Sequence, residues 1–148
     1  MASQFRLEKV LKIKEKEKDL SEIEFAQAMQ YFENAARTLY ELLKRKEEIE
    51  KQYEHKMRIG LQADVIRQYN LHLQSLHNSI LKQQMIVNRA RAEMEKKRDE
   101  IVHKSIEVKK YQLLKEKYIE KVLSKLKREE NKQLDELSIL KLGERYGL

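Results

Sequence analysis

The sequence predicts an all-α protein in which two long helices form an antiparallel coiled-coil hairpin. The first observation is compositional: the 148 residues include no Pro and three Gly, while 39% are charged. Since Pro breaks helices and Gly weakens them, few helix stops are present, and this composition is typical of coiled coils. The other two observations are a long heptad repeat and a single break in the helical pattern.

The break lies around Gly60, between two segments of helical periodicity. Gly takes the left-handed conformation that ends many helices, and Lys56 and Arg58 suit the negative end of the helix dipole. Asp64 is expected to cap the next helix. We therefore predict one domain over residues 1–148, with helix 1 at about 4–59, a turn at about 60–63 and helix 2 at about 64–141.

Helix 2 carries the clearer heptad. Eight of nine residues taken every seventh position are Ile, Leu, Val or Met: Ile66, Leu73, Ile80, Val87, Met94, Ile101, Val108, Lys115 and Val122. The companion positions begin Tyr69, Leu76, Gln83, Ala90, Lys97 and Lys104. Helix 1 shows tracks through Leu11, Lys18, Phe25, Phe32 and Leu39, and through Leu7, Lys14, Ser21, Ala28 and Ala35. Such a repeat predicts a left-handed supercoiled seam.

The short turn predicts the register, because it forces the helices antiparallel with facing residue numbers that sum to about 122. Phe32 then faces Ala90, so large residues meet small ones. At the open end Lys18 faces Lys104, and like charges weaken pairing there. We expect this end to be looser than the turn end.

Helix 2 is expected to outrun helix 1, so that residues 119–148 project beyond it. Apolar residues nevertheless recur there at helical spacing: Val122, Leu126, Leu134, Leu137 and Leu140. An apolar stripe on an unpaired helix is expected to dock on a partner, to self-associate or to be disordered. The last eight residues are expected to fray.

The residues offer no catalytic apparatus, so no enzyme activity, cofactor, metal or small-molecule substrate is expected. Cys is absent, which excludes disulfides and thiolate chemistry, and no Gly-rich phosphate loop is present. Glu100-x-x-His103 has di-iron spacing, but a second copy is missing. Neither a secretory signal nor a membrane-spanning segment is recognisable.

The net charge of +7 resides in residues 82–132, which carry 16 basic and nine acidic side chains. Nucleic acid is not the expected partner, because acids dilute the charge and no aromatic stacking platform is evident. A basic end that contacts an acidic protein surface is favoured.

Three segments resemble the bacterial flagellar type III export protein FliJ family. The first is Phe5-Arg6-Leu7 with the following Val10-Leu11, the second runs from Tyr69 to Val87, and the third includes Asp135-Glu136. The likeness covers nearly the whole chain. It implies an antiparallel two-helix coiled coil similar to the central stalk of rotary ATPases.

The resemblance further implies a cytoplasmic protein of flagellum biogenesis and motility, associated peripherally with the inner face of the cell membrane at the flagellar base. It would bind the export ATPase, promote its ring assembly and activity, contact the export gate membrane protein, and escort substrate-specific export chaperones. The end that carries both termini would enter the ATPase ring, through Phe5, Arg6, Leu7, Leu11, Lys121, Val122, Lys125, Leu126 and Lys127.

Gate binding in the family lies on both helices near the turn. The matching positions are Thr38, Leu42, Arg45, Ile49, His72, Leu76, Ser79 and Gln83. The residues alone leave other functions open: a self-associating structural rod, a holdase, or a stalk subunit of a related secretion system or rotary ATPase.

Overall fold

Two antiparallel α-helices make up the fold of the computed structural model, which describes residues 5–147. Helix α1 spans Glu8–Ile59 and helix α2 spans Ala63–Arg145. The all-α hairpin predicted from the heptads is thereby confirmed. The start of α1 lies at Glu8, later than the predicted residue 4, and residues 1–4 lie outside the described part of the chain.

The turn follows the prediction at Gly60, where α1 ends, and differs from it at the start of α2. Gly60 has φ +112° and its amide donates to the Lys56 carbonyl at 3.0 Å. The Gln62 carbonyl, however, accepts the Val65 and Ile66 amides at 3.1 Å, so α2 begins one residue early. Asp64 therefore lies inside the first turn of α2 and is not its N-cap. Its carboxylate interacts favourably with the positive end of the helix dipole.

The end of α2 also differs from the prediction, because the helix continues through Gly143 to Arg145 instead of fraying at Lys141. A Gly inside a helix costs about 1 kcal/mol relative to Ala, which does not stop a helix of this length. The left-handed Gly147, at φ +70°, ends the helix, and the Tyr146 amide donates to the Leu142 carbonyl at 3.0 Å.

The buried residues lie on the predicted heptad tracks. The buried apolar set is Leu11, Ala35, Leu76, Ile80, Val87, Ala90 and Val108, and Ser21 is the buried polar residue of the described chain. Ring contacts confirm the antiparallel register: Tyr53 lies 5.3 Å from Tyr69, and Phe5 lies 5.7 Å from Tyr118, between ring centroids. The seam thus forms where the sequence places it.

Interhelical contacts group into two compact units. The turn half comprises residues 19–102, and the end half comprises the described parts of 1–18 and 103–148. The turn half contains five of the buried apolar residues, whereas the end half contains Leu11 and Val108.

Candidate protein-docking surfaces

One flank of the turn half gathers four of the residues expected to contact the gate. Thr38 and Arg45 on α1, and His72 and Ser79 on α2, each stand one residue before a seam position, which places them on the same side of an antiparallel pair. Thr38, Arg45 and His72 are exposed, and Ser79 is half-buried. We call these four residues the turn-half flank.

A groove close to the turn continues this flank. Both helices line it, through Ile49, Gln52, Lys56, Val65, Gln68, Tyr69 and His72. The Lys56 ammonium lies 5.6 Å from the centre of the Tyr69 ring, which closes the turn end of the groove with a cation–π contact. Ile49 and His72, both predicted from the sequence, thus share one concave surface.

The remaining predicted gate residues belong to the seam. Leu76 is 6% exposed, and Leu42 is half-buried. The Gln83 amide donates from Nε2 to the Ala35 carbonyl at 3.0 Å, because the small side chain of Ala35 leaves that carbonyl accessible from the other helix. Leu76 and Gln83 therefore hold the helices together, and a partner reaches them only by opening the hairpin.

The α2 part of the flank lies in an uncharged segment, whereas Arg45 on α1 is charged. Residues 68–81 contain no Asp, Glu, Lys or Arg, although such residues make up 39% of the chain. Farther along the same flank, a small cleft is lined by Tyr31, Ile86, Arg89, Ala90 and Glu93. Sequence reasoning missed Tyr31 and Ile86, and their signal was an apolar residue at a position that flanks the seam. The surface suits a partly apolar protein partner.

In the end half, the first predicted docking residues divide between seam and surface. Leu11 is 4% exposed and packs in the seam. Phe5 and Leu7 are half-buried, the Phe5 ring lies against Tyr118, and Arg6 is exposed. Of this group, Arg6 is accessible to a partner, while Phe5 and Leu7 are only partly accessible.

The later residues of α2 form the longest exposed run among the described residues. Val122 is half-buried, and every residue from 123 to 142 is exposed. The exposed residues of this segment include Lys121, Lys125 and Lys127. Leu126 lies between the last two and is 51% exposed. We call residues 119–142 the tail. It presents an apolar stripe beside basic side chains, which is the arrangement expected of a protein-docking helix.

Three lysines of the end-half seam pair with glutamates of the facing helix, which sequence reasoning did not foresee. Lys104 Nζ lies 3.3 Å from Glu17 Oε2, so the repulsion expected between Lys104 and Lys18 is offset. Lys14 lies 3.9 Å from Glu107, and Lys115 lies 2.9 Å from Glu8. The signal was a Glu next to the position that faces each of these three lysines on the other helix.

Lys97 in the turn half follows the same rule. Its ammonium donates to Glu24 at 3.1 Å and to Glu100 at 3.4 Å. The hydrogen bond to Glu24, supported by the charge of Glu100, raises the pKa of Lys97 above its usual 10.5. Glu100 is thus engaged by a lysine, which favours a structural role over the metal motif considered with His103.

Within residues 5–147, no cluster of three or more His, Asp or Glu side chains is arranged to hold a metal ion. Neither described helix contains a stretch apolar and long enough to cross a bilayer.

Comparison with known proteins yields one family and two similar proteins. A family profile for "Flagellar FliJ protein" matches residues 3–145. The flagellar FliJ protein of Bacillus subtilis (strain 168) is 37% identical over 139 residues, which cover 94% of this chain and 95% of that protein. Among solved structures, the protein CT670 of Chlamydia trachomatis, described as a YscO homologue, matches with a TM-score of 0.65, 22% identity and 93% coverage of each chain. The last likeness concerns the fold alone.

Proposed function

This chain belongs to the flagellar FliJ family, and from that premise we propose that it is an accessory protein of flagellar export that binds the export ATPase through its tail. The observation that carries the proposal is the tail itself. A helix that exposes leucines and lysines over residues 123–142 keeps an apolar stripe accessible to a partner.

The chain acts on the ATPase by binding and contributes no catalytic group of its own. A ligand that binds assembled subunits more tightly than free ones shifts the equilibrium toward the assembly. The tail would enter the ring as a central stalk does, with Lys121, Lys125 and Lys127 directed at acidic subunit surfaces. Ring assembly, and with it ATP hydrolysis, would then increase with the concentration of this chain.

A rate assay on the purified export ATPase tests this proposal. The triple variant Lys121→Glu, Lys125→Glu and Lys127→Glu is expected to lose most of the stimulation, and more of it at low salt, because exposed charges are screened by ions. The matched control reverses three exposed charges on the outer side of α1 in the turn half: Arg37→Glu, Lys44→Glu and Lys51→Glu. Absence of stimulation by the unmodified chain at saturation would refute the ATPase role.

The turn-half flank is proposed as the contact for the export gate membrane protein. Its support is the surface formed by exposed Thr38, Arg45 and His72 and half-buried Ser79, next to the groove at the turn. Binding there would hold the chain peripherally at the inner face of the membrane, and export chaperones would be escorted to the same place.

Adjacent residues provide a matched pair for the gate contact. Arg45 belongs to the flank, whereas Lys44 points to the outer side of α1. Arg45→Glu is expected to weaken binding to the soluble part of the gate protein about tenfold, and Lys44→Glu to leave it unchanged, by calorimetry. Equal effects of the two substitutions would count against this surface.

A further inference from the structure

We infer that the tail is also a self-recognition element, in which two copies of this chain pair their tails antiparallel. Seven of the nine Ile, Leu and Val residues of the tail recur at helical spacing on one side of α2, and Ile139 and Leu142 lie off that side: Ile119, Val122, Leu123, Leu126, Leu134, Leu137 and Leu140. Leu126 is 51% exposed and Leu137 is 54% exposed, so the stripe is open to a second helix. A stripe of this width matches the apolar face of a packed helix.

Charge distribution identifies the occupant as a second copy in reverse orientation. Residues 119–128 carry four basic and one acidic side chain, whereas residues 129–138 carry one basic and four acidic side chains. A parallel pair would set each basic half beside its like. An antiparallel pair sets the basic half of each tail beside the acidic half of the other, which favours association.

The same register satisfies both the leucines and the charges. When Leu126 of one copy faces Leu137 of the other, Leu123 faces Leu140, and the arrangement repeats by two-fold symmetry. Within one helical turn of that register Lys125 meets Glu136 on one side of the stripe, and Glu120 meets Lys141 on the other. The one charged residue near the middle of the stripe, Glu130, then faces the amide of Gln133.

The tail pair and ATPase binding use the same side chains, and this consequence rests on the proposed function. Leu126, Lys125 and Lys127 cannot serve both partners at once. Tail pairing would therefore hold the chain in reserve until the ATPase competes for the tail. The pairing itself is measured without the ATPase, so it can fail while the proposed function stands.

Sedimentation equilibrium of the full chain, from low to high micromolar concentration at low salt, tests the pairing. A monomer–dimer equilibrium is expected. Lys125→Glu with Lys127→Glu makes the whole tail acidic, and Glu129→Lys with Glu136→Lys makes it basic. Each pair of substitutions is expected to weaken dimerisation at least tenfold, whereas the 1:1 mixture, or all four changes in one chain, restores it. Circular dichroism verifies that each variant remains helical.

The orientation is tested by disulfide formation, which is clean because the chain has no Cys. Leu126→Cys and Leu137→Cys are each expected to remain monomeric under oxidation when alone, and to form a disulfide-linked dimer when mixed. Cross-linking of each variant with itself would overturn the antiparallel arrangement. A chain that stays monomeric at every concentration, or dimerises equally well after either charge reversal, would overturn the self-recognition.

Discussion

The two halves of the hairpin combine apolar burial and interhelical ion pairs in different proportions, and in the turn half Lys97 pairs with Glu24. The turn half buries Ala35, Leu76, Ile80, Val87 and Ala90. The end half buries Leu11 and Val108, and adds ion pairs of Lys14, Lys104 and Lys115 with glutamates. A fully buried Val, Leu or Ile side chain contributes about 1.5–3 kcal/mol, whereas an ion pair that solvent reaches, as it reaches these half-buried pairs, contributes about 0–1 kcal/mol. The buried residues of the turn half lie away from the turn itself, since no residue from 36 to 75 is buried. The comparison teaches that apolar burial contributes more to the turn half than to the end half.

The largest expected difference comes from the same substitution made in each half. Leu76 and Leu11 are both buried leucines, at 6% and 4% exposure. Leu76→Ala is expected to lower the free energy of unfolding by about 2–4 kcal/mol, because it leaves a cavity inside a continuous seam. Leu11→Ala should cost less than half as much, because it lies near the start of α1, where the chain can relax into the space. Urea denaturation followed by circular dichroism measures both, and equal losses would remove the distinction between the halves.

A smaller but more local difference is expected in amide exchange. Residues 12–20 rely on ion pairs of Lys14 and Glu17, while residues 35–50 lie next to the apolar seam. Local opening follows the density of buried apolar contact, so amides of 12–20 should exchange faster than those of 35–50. Mass spectrometry of the unmodified chain at dimer-free concentration provides the rates. Equal protection would show that the ion pairs hold the end half as firmly as leucines hold the turn half.

The smallest effect is the alkaline titration of Lys97. Its pKa is raised in the folded chain by the hydrogen bond to Glu24, so the interaction stabilises the fold fully below 10.5 and is lost as the pH rises through the raised value. The difference in unfolding midpoint between the unmodified chain and Lys97→Met should therefore shrink above that pH. A difference independent of pH would assign Lys97 a packing role alone.

Most of the fold could be predicted because a heptad fixes both the buried side of a helix and, with one short turn, the register. Every buried residue of the described chain stands on a predicted seam track. Two kinds of detail escaped. The beginning of α2 depends on the backbone carbonyl of Gln62, which carries no side-chain signature. The neutralisation of Lys104 by Glu17 required three-dimensional reach, since Glu17 is not itself a seam position.

The docking surfaces proposed from the sequence differ in how exposed the structure leaves them. The exposed tail follows from the unequal lengths of the helices on either side of Gly60. Leu76 and Gln83 looked equally suited to a partner and to the seam, and burial together with the bond to Ala35 assigns them to the seam. The cleft around Tyr31 and Ile86 was missed, because an isolated apolar residue on a helix flank is common in any sequence.

The tail is proposed as the surface at which this chain contacts the export ATPase. Hydrogen exchange of the chain with and without the purified ATPase, at a concentration where the chain alone is monomeric, tests it most directly. The account predicts slower exchange over residues 119–142, with the turn half unchanged. Protection confined to the turn half, or none at saturating ATPase, would contradict it.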